Sequence, residues 1–406
     1  MRPWPGRCMH RPADRYMYRS EQHPMSTPPT PPFESEHEEL RASIKGFVER
    51  ELAPHAADWE REEWFPNEVF AKLAGQGLLG LKYPARLGGQ GGDHLHEAVL
   101  VEELARIGSG GTAAGIGAHV NIATPPIWKF GTAEQHERYL VPAIAGEAIG
   151  ALGITEPDAG SDVASLRTQA TPVDGGWVLR GEKTYITNGV RADFVLTAAK
   201  TKPEGGHGGI SFFLVERGDG IRSAKLKKLG WAASDTASIS YEDVFVPAER
   251  LLGELHGGFK LIMANFQWER LAMALGAVGA MQLAWERTAA YARERTTFGR
   301  PLCQHQAIKH QLADLATSVH ACRCVTYDAL RRFHDGQEPI KEVTIAKLVT
   351  QRACFELMDA CLQIHGGFGY MAEHWTERAV RDARLGPIGG GSDEIMREIL
   401  GRVLSL

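Results

Sequence analysis

Read for the spacing of apolar positions, the chain falls into three textures. Ser26 to Pro32 is a Pro/Thr linker. After it, Ser35 and Glu38 form an expected capping box that opens a helix with Leu40, Ile44, Phe47 and Val48 on one stripe. Further helical stretches lie around Pro66 to Ala74, His96 to Arg106 and Ala133 to Ala145, separated by breaks such as Gly88-Gly89-Gln90-Gly91-Gly92. From about Ala151 to Leu252 the pattern changes to short β-type runs, at Trp177 to Arg180, Phe194 to Ala198, Ile210 to Val215 and Ala237 to Phe245. Beyond Gly257 and Gly258 the helical period returns in stretches long enough to predict a bundle of extended helices. The expected fold is α+β and mostly helical: a disordered extension 1–32, a helical domain 33–150, a middle antiparallel β domain 151–255 and a helical bundle 256–406.

Composition narrows the possible roles. Apolar residues make up 43% of 406, ample for several packed cores, and 45 basic against 50 acidic residues give a net charge of −5. That balance supplies no general attraction for a phosphate polymer, so nucleic acid is not an expected partner. The six cysteines, Cys8, Cys303, Cys322, Cys324, Cys354 and Cys361, make no C-x-x-C pair, so a reducing compartment is expected and no metal site. The most apolar stretch, Leu271 to Trp285, is too short to span a bilayer. The first 24 residues are rich in Arg and Pro and lack a secretory core, with Met25 a plausible start. The expected location is cytoplasmic, or the mitochondrial matrix if that extension is a transit peptide.

Glu269 stands out on periodicity alone. Ile262, Phe266, Glu269 and Met273 follow spacings of four, three and four, which places a carboxylate on an apolar helical stripe. A charge there is either paired, with Arg270 as the adjacent candidate, or used chemically. Four further segments carry candidate chemistry. Gly153-Ile154-Thr155-Glu156-Pro157-Asp158-Ala159-Gly160-Ser161-Asp162 is a turn of hydroxyls and small residues able to cradle an anion, or merely to satisfy its own backbone. Tyr185-Ile186-Thr187-Asn188-Gly189 is a strand ending in a corner. Gln363 to Tyr370 closes a helix on glycines, as a cap or a close approach, and Gly389-Gly390-Gly391-Ser392-Asp393-Glu394 lacks the lysine of a phosphate loop.

Taken in order, these segments resemble the acyl-CoA dehydrogenase family from about Phe33 to the end. Gly153 to Ser165 is similar to its Thr-Glu-Pro turn, and Gln363-x-x-Gly366-Gly367-x-Gly369-Tyr370-x-x-Glu373-x4-Arg378-x3-Asp382 to its C-terminal signature. The resemblance implies a C-terminal four-helix bundle and a non-covalent FAD. Ile154, Thr155, Tyr185 and Thr187 would lie at the flavin, and Ser161 between flavin and acyl-CoA. Arg295, Thr297, Phe298 and Gln306 of a neighbouring subunit would hold the dinucleotide, with Gln363, Gly366, Gly367, Ser392 and Glu394 completing the adenine side. Phe266, Gln267, Arg270, Gly390 and Gly391 would border the substrate. A homo-oligomer is implied, a dimer at least and usually a dimer of dimers.

Most members of the family carry the base on the C-terminal loop, where this chain has Gly390. A minority, the isovaleryl and long-chain enzymes, place it on the long helix in a context that Glu269-Arg270-Leu271 resembles. The implied reaction is α,β-dehydrogenation of an acyl-CoA to the trans-2-enoyl-CoA. Glu269 would take the α-proton, the Gly390 N–H and the FAD ribityl chain would stabilise the thioester oxygen, and the β-hydride would pass to flavin N5. Electron-transfer flavoprotein is the implied acceptor, although Tyr185 stands where many members have Trp, Asp158 where many have Gly and Ser392 where many have Thr. The rival readings are an acyl-CoA oxidase or flavin monooxygenase on the same fold, and a non-catalytic DNA-associated relative.

Overall fold

The computed structural model describes residues 30–406. The expected extension 1–32 and start at Met25 lie almost wholly outside that range.

The N-terminal third is helical, from Ser35–Glu51 through His94–Leu104 to Val141–Ile144. Ile44, Phe47 and Val48 share one buried cluster with Leu95, Val99 and Leu104, because their spacing aims them at one side. The first cap lies one residue before the expected Ser35–Glu38 box. Glu34 is the N-cap, and its N–H donates to Nδ1 of His37 at 3.1 Å. An imidazole at the third helical position thus does what a Glu would, and His96 repeats the device for Asp93. The stretch Ala133 to Ala145 is not one regular helix, since His136–Leu140 is wound as a π-type turn. Pro142, which lacks an N–H, follows that turn, and Ala118–Ala123 is wound the same way just before Pro125 and Pro126.

The middle third is an eight-stranded sheet of β1 (Gly150–Gly153), β2 (Gln169–Val173), β3 (Gly176–Ile186), β4 (Phe194–Lys200), β5 (Ile210–Glu216), β6 (Ile221–Lys225), β7 (Ala237–Pro247) and β8 (Leu251–Leu252). Its order is β6-β7-β3-β2-β4-β5-β8, with β1 added on β4. Most neighbours are antiparallel, as expected. β1 and β2, however, each run parallel to β4, so the sheet is mixed. The apolar runs of β4 and β5 are buried almost end to end, which explains their lack of alternation.

The C-terminal bundle has three long helices, Gly258–Glu294, Gln306–His334 and Ile340–His365. Rather than a fourth of similar length, two shorter ones, Trp375–Ala383 and Asp393–Val403, pack on Ile340–His365. Asp382 ties the three regions together: its carboxylate accepts from the Gly110 N–H at 3.0 Å and from the Trp231 N–H at 2.6 Å. Arg378 adds a bond to the Gly108 carbonyl at 3.0 Å. These two residues of the C-terminal signature are therefore struts between domains.

Candidate active site

Glu269 lies about three turns into the Gly258–Glu294 helix. Ile262 and Phe266 of its stripe pack with Ile154, Ala159 and Leu166, so the hydrophobic contact that seats the helix also sets the 153–162 turn beside it. The pairing of Glu269 with Arg270 does not form. The Arg270 Nε donates to the Gly390 carbonyl at 3.3 Å, and buried Lys347 donates to the Gly391 carbonyl at 2.6 Å. Both cations are spent on a glycine turn. Oε2 of Glu269 is shielded from solvent and has no hydrogen-bond partner among the described residues. Burial pushes the carboxyl up to about 7, against the pull of Arg270 and then Lys347.

The conformation of the turn favours glycine. Gly390 has φ +62° and Gly391 φ +97°, left-handed values that other residues rarely adopt. A Cβ at 390 would also overlap the Met273 sulfur, while lying 3.8 Å from Oε1 of Glu269. The Gly390 N–H makes no hydrogen bond with a described residue, and the Gln267 Oε1, two residues before the base on the same helix, is also buried without a partner. Gly390, with its N–H free, and the Glu269 carboxylate, without a partner, thus lie together where an acyl thioester would need a donor and a base.

The 153–162 turn is anchored by an ion pair that the sequence reading overlooked. Lys183, fully buried on β3, donates to Oε1 of Glu156 at 2.6 Å and to the Ile154 carbonyl at 3.0 Å. Glu156 also accepts the N–H groups of Arg167 and Thr168. Burial brings the Lys183 ammonium down to about 8, with Glu156 pulling the other way. Glu156 of the motif is therefore structural. The Thr155 carbonyl accepts the Thr184 N–H at 2.9 Å, which sets the turn against Tyr185 and Thr187. The side-chain hydroxyls of Thr155 and Thr187 make no hydrogen bond with a described residue, and Ser161 is exposed. Tyr185 is held at φ +59° with 70% of its surface open, a conformation few non-glycine residues adopt without a reason.

The named residues separate into two groups. Ile154 packs with Phe266, and Arg270, on the same helix as Gln267, bonds the Gly390–Gly391 turn. Thr155, in the turn that also carries Ser161, is bound to the strand that leads into Tyr185 and Thr187, so this group lies towards the start of the long helix. Ser392 and Glu394 follow the glycine turn, where the Ser392 Oγ caps the last helix. Arg295, Thr297, Phe298 and Gln306 lie at its other end, roughly 40 Å from Glu269 at 1.5 Å per residue. Gln363, Gly366 and Gly367 belong with that second group, because His365 stacks on Tyr291 at 4.3 Å. Phe298 is 97% exposed there, and a Cβ on Gly366 or Gly367 would meet nothing within 4 Å. Such open glycines beside exposed aromatic and polar side chains fit a flat, phosphate-bearing group.

One cluster elsewhere has the composition of a metal site, since ligating atoms of Glu36, His37 and His96 come within 4.8 Å of one another. His37 accepts the Glu34 N–H at Nδ1, so its neutral ring carries the proton on Nε2 and offers a metal no lone pair. The cluster is a pair of facing helix caps.

Models of the acyl-CoA dehydrogenase N-terminal, middle and C-terminal domains match residues 34–147, 151–244 and 256–405. The chain belongs to the acyl-CoA dehydrogenase family. It is similar to the mitochondrial long-chain specific acyl-CoA dehydrogenase of Mus musculus, 39% identical over 91% of this chain and 86% of that one. The mitochondrial isovaleryl-CoA dehydrogenase of Solanum tuberosum is 37% identical over 92% of this chain and 91% of that one. The solved acyl-CoA dehydrogenase of Geobacillus kaustophilus superposes with a TM-score of 0.90 at 36% identity, over 93% of this chain and 100% of that one. The protein is thus a flavoprotein oxidoreductase that uses FAD and acts on acyl-CoA. No helix among the described residues is long and apolar enough to cross a membrane.

Proposed function

We propose that this acyl-CoA dehydrogenase desaturates an acyl-CoA to the trans-2-enoyl-CoA with Glu269 as the base. The observation that carries the reading is that Glu269 is a carboxylate with two cations nearby and a bond to neither. Its pKa near 7 suits removal of a weakly acidic α-proton at neutral pH. The free Gly390 N–H supplies a donor to the thioester oxygen, stabilising the negative charge that grows as the proton leaves. Phe266 and the 153–162 turn hold the acyl chain and exclude water, which keeps the base desolvated. Arg270 acts through the Gly390 carbonyl rather than on substrate. FAD, when bound, supplies the two-electron acceptor for the β-hydride.

Thr155, Ser161, Tyr185 and Thr187 of one chain would hold the flavin end. Arg295, Thr297, Phe298, Gln306, Gln363, Gly366 and Gly367 of a second chain would hold the remainder. The distance between the two groups supports this division, which makes a dimer the smallest complete unit. Electron-transfer flavoprotein is the proposed electron acceptor. A long or branched acyl group is the proposed substrate: position 390 carries no side chain, and the long-chain and isovaleryl enzymes are among the relatives. An anaerobic flavin-bleaching screen across short, long, branched and aromatic acyl-CoAs tests this directly. Bleaching by none of them, in protein that holds FAD, sinks the reading; rapid reoxidation by oxygen would instead identify an oxidase.

A further inference from the structure

Val343, Lys347, Thr350 and Cys354 repeat on the Ile340–His365 helix the four, three, four spacing that marks Glu269, and all four are buried. Lys347 is fully enclosed. A lysine there must either neutralise a partner or be held by one, yet it forms no salt bridge within 4 Å among the described residues. Its single hydrogen bond goes to the Gly391 carbonyl at 2.6 Å. Asp393, the acid whose charge acts on it most strongly, is engaged by Arg352 instead.

We propose that Lys347 is a positioning residue for the base: its hydrogen bond fixes the Gly390–Gly391 turn, and its charge, held off Glu269 by that bond, sets the pH at which Glu269 is free to act. The inference rests on the reading of Glu269 as the base. The turn is anchored at successive carbonyls, Gly390 to Arg270 and Gly391 to Lys347, and such double anchoring holds the Gly390 N–H in one orientation. The charged groups facing Glu269 are Arg270 and Lys347, and those facing Lys347 are Asp393, Arg270, Glu394 and Glu269. Were Lys347 to bond Glu269 directly, the carboxylate would be a weaker base and blocked from substrate. Anchored to a backbone carbonyl, the ammonium acts only through space and leaves the carboxylate oxygens free.

Three holoenzyme variants separate donor from charge. Lys347→Arg keeps both, Lys347→Gln keeps a donor without charge, and Lys347→Met keeps neither. The pH profile of anaerobic flavin reduction and hydrogen exchange of the 386–396 peptide are measured on each. With the charge gone, the acid limb moves to higher pH by about one unit in Lys347→Gln and Lys347→Met, and stays in place in Lys347→Arg. Exchange at the turn accelerates about tenfold or more in Lys347→Met and less in the other two. A limb that coincides in Lys347→Gln, Lys347→Arg and the parent, or a turn no faster to exchange in Lys347→Met, overturns the proposal. Should Lys347→Met not fold, the Gln and Arg pair still decides the charge. Should the parent reduce no flavin with any acyl-CoA, the dehydrogenation reading fails while the exchange result still decides the anchor.

Discussion

Gly390 faces Glu269 so closely that a Cβ added to the glycine would lie 3.8 Å from Oε1 of the carboxylate. The two positions therefore address the same small volume, one from the helix and one from the turn. In this chain Met273 fills what a loop side chain would occupy. The position of the base is thus fixed by three residues, not one.

Moving the base to the turn should accordingly need three changes. Glu269→Gly with Gly390→Glu places a carboxylate in the right region, but at φ +62° and against the Met273 sulfur. That double variant should hold FAD and reduce flavin no faster than Glu269→Gly alone. Adding Met273→Ala should restore part of the rate, read by stopped-flow bleaching. Full recovery without the third change would show that Met273 is no obstacle.

Glu269→Gln should keep FAD and acyl-CoA binding and lose flavin reduction by several orders of magnitude. It should not destabilise the protein. A carboxylate in a true buried ion pair would cost roughly 3 kcal/mol or more to remove, whereas here the amide relieves an unpaired charge. The expected melting temperature at pH 8 is equal to or above that of the parent. A large fall, with residual chemistry that tracks the folded fraction, would return Glu269 to a structural role.

The pH dependence follows from the same carboxyl. Proton removal requires the ionised form, so flavin reduction should fall about tenfold per unit below an acid limb near pH 7. The stability linkage has the opposite sense. Because the folded pKa lies above the ordinary 4.5, the folded state binds the proton more tightly, and this group's contribution to stability is lost as pH rises from about 4.5 to 7. Denaturant melts of the parent and Glu269→Gln across that range should diverge as pH rises. Parallel curves would mean that the carboxyl is not shifted.

Lys183→Met leaves Glu156 buried at the foot of the 153–162 turn with its cation gone. A loss of about 3–5 kcal/mol is expected from unpairing a buried charge, together with weaker FAD retention. Lys183→Met with Glu156→Leu should recover some stability without recovering FAD affinity, because the turn's N–H bonds to Glu156 are also lost. Flavin content and urea midpoints measured together test both halves; unaltered flavin content in the single variant would detach the ion pair from the cofactor.

Much of this site could be read from residue order, for reasons that also explain what escaped. Glu269 was legible because a charge on an apolar stripe is a local, periodic anomaly. Lys347 carries the same anomaly, but its partner Gly391 is remote in sequence, and no spacing rule joins them. Lys183 lay hidden in a strand whose alternation is broken by register shifts against β7. β1 was missed because Gly150-Ala151-Leu152-Gly153 has little strand propensity; its pairing with β4 comes from the tertiary fold. The first cap was misplaced by one residue because His37 does the work that the motif assigns to Glu.

The long helix separates the two groups of cofactor residues by more than any one flavin can cover, and the proposed two-chain site turns that length into a genetic property. Each assembled pair would contain two composite centres, each built from unlike ends of its two chains. A chain disabled at Glu269 and a chain disabled at Arg295 would then each be inactive alone. Mixed together, they would form hybrids with one centre spoiled twice and the other intact, so two dead alleles could restore a living phenotype.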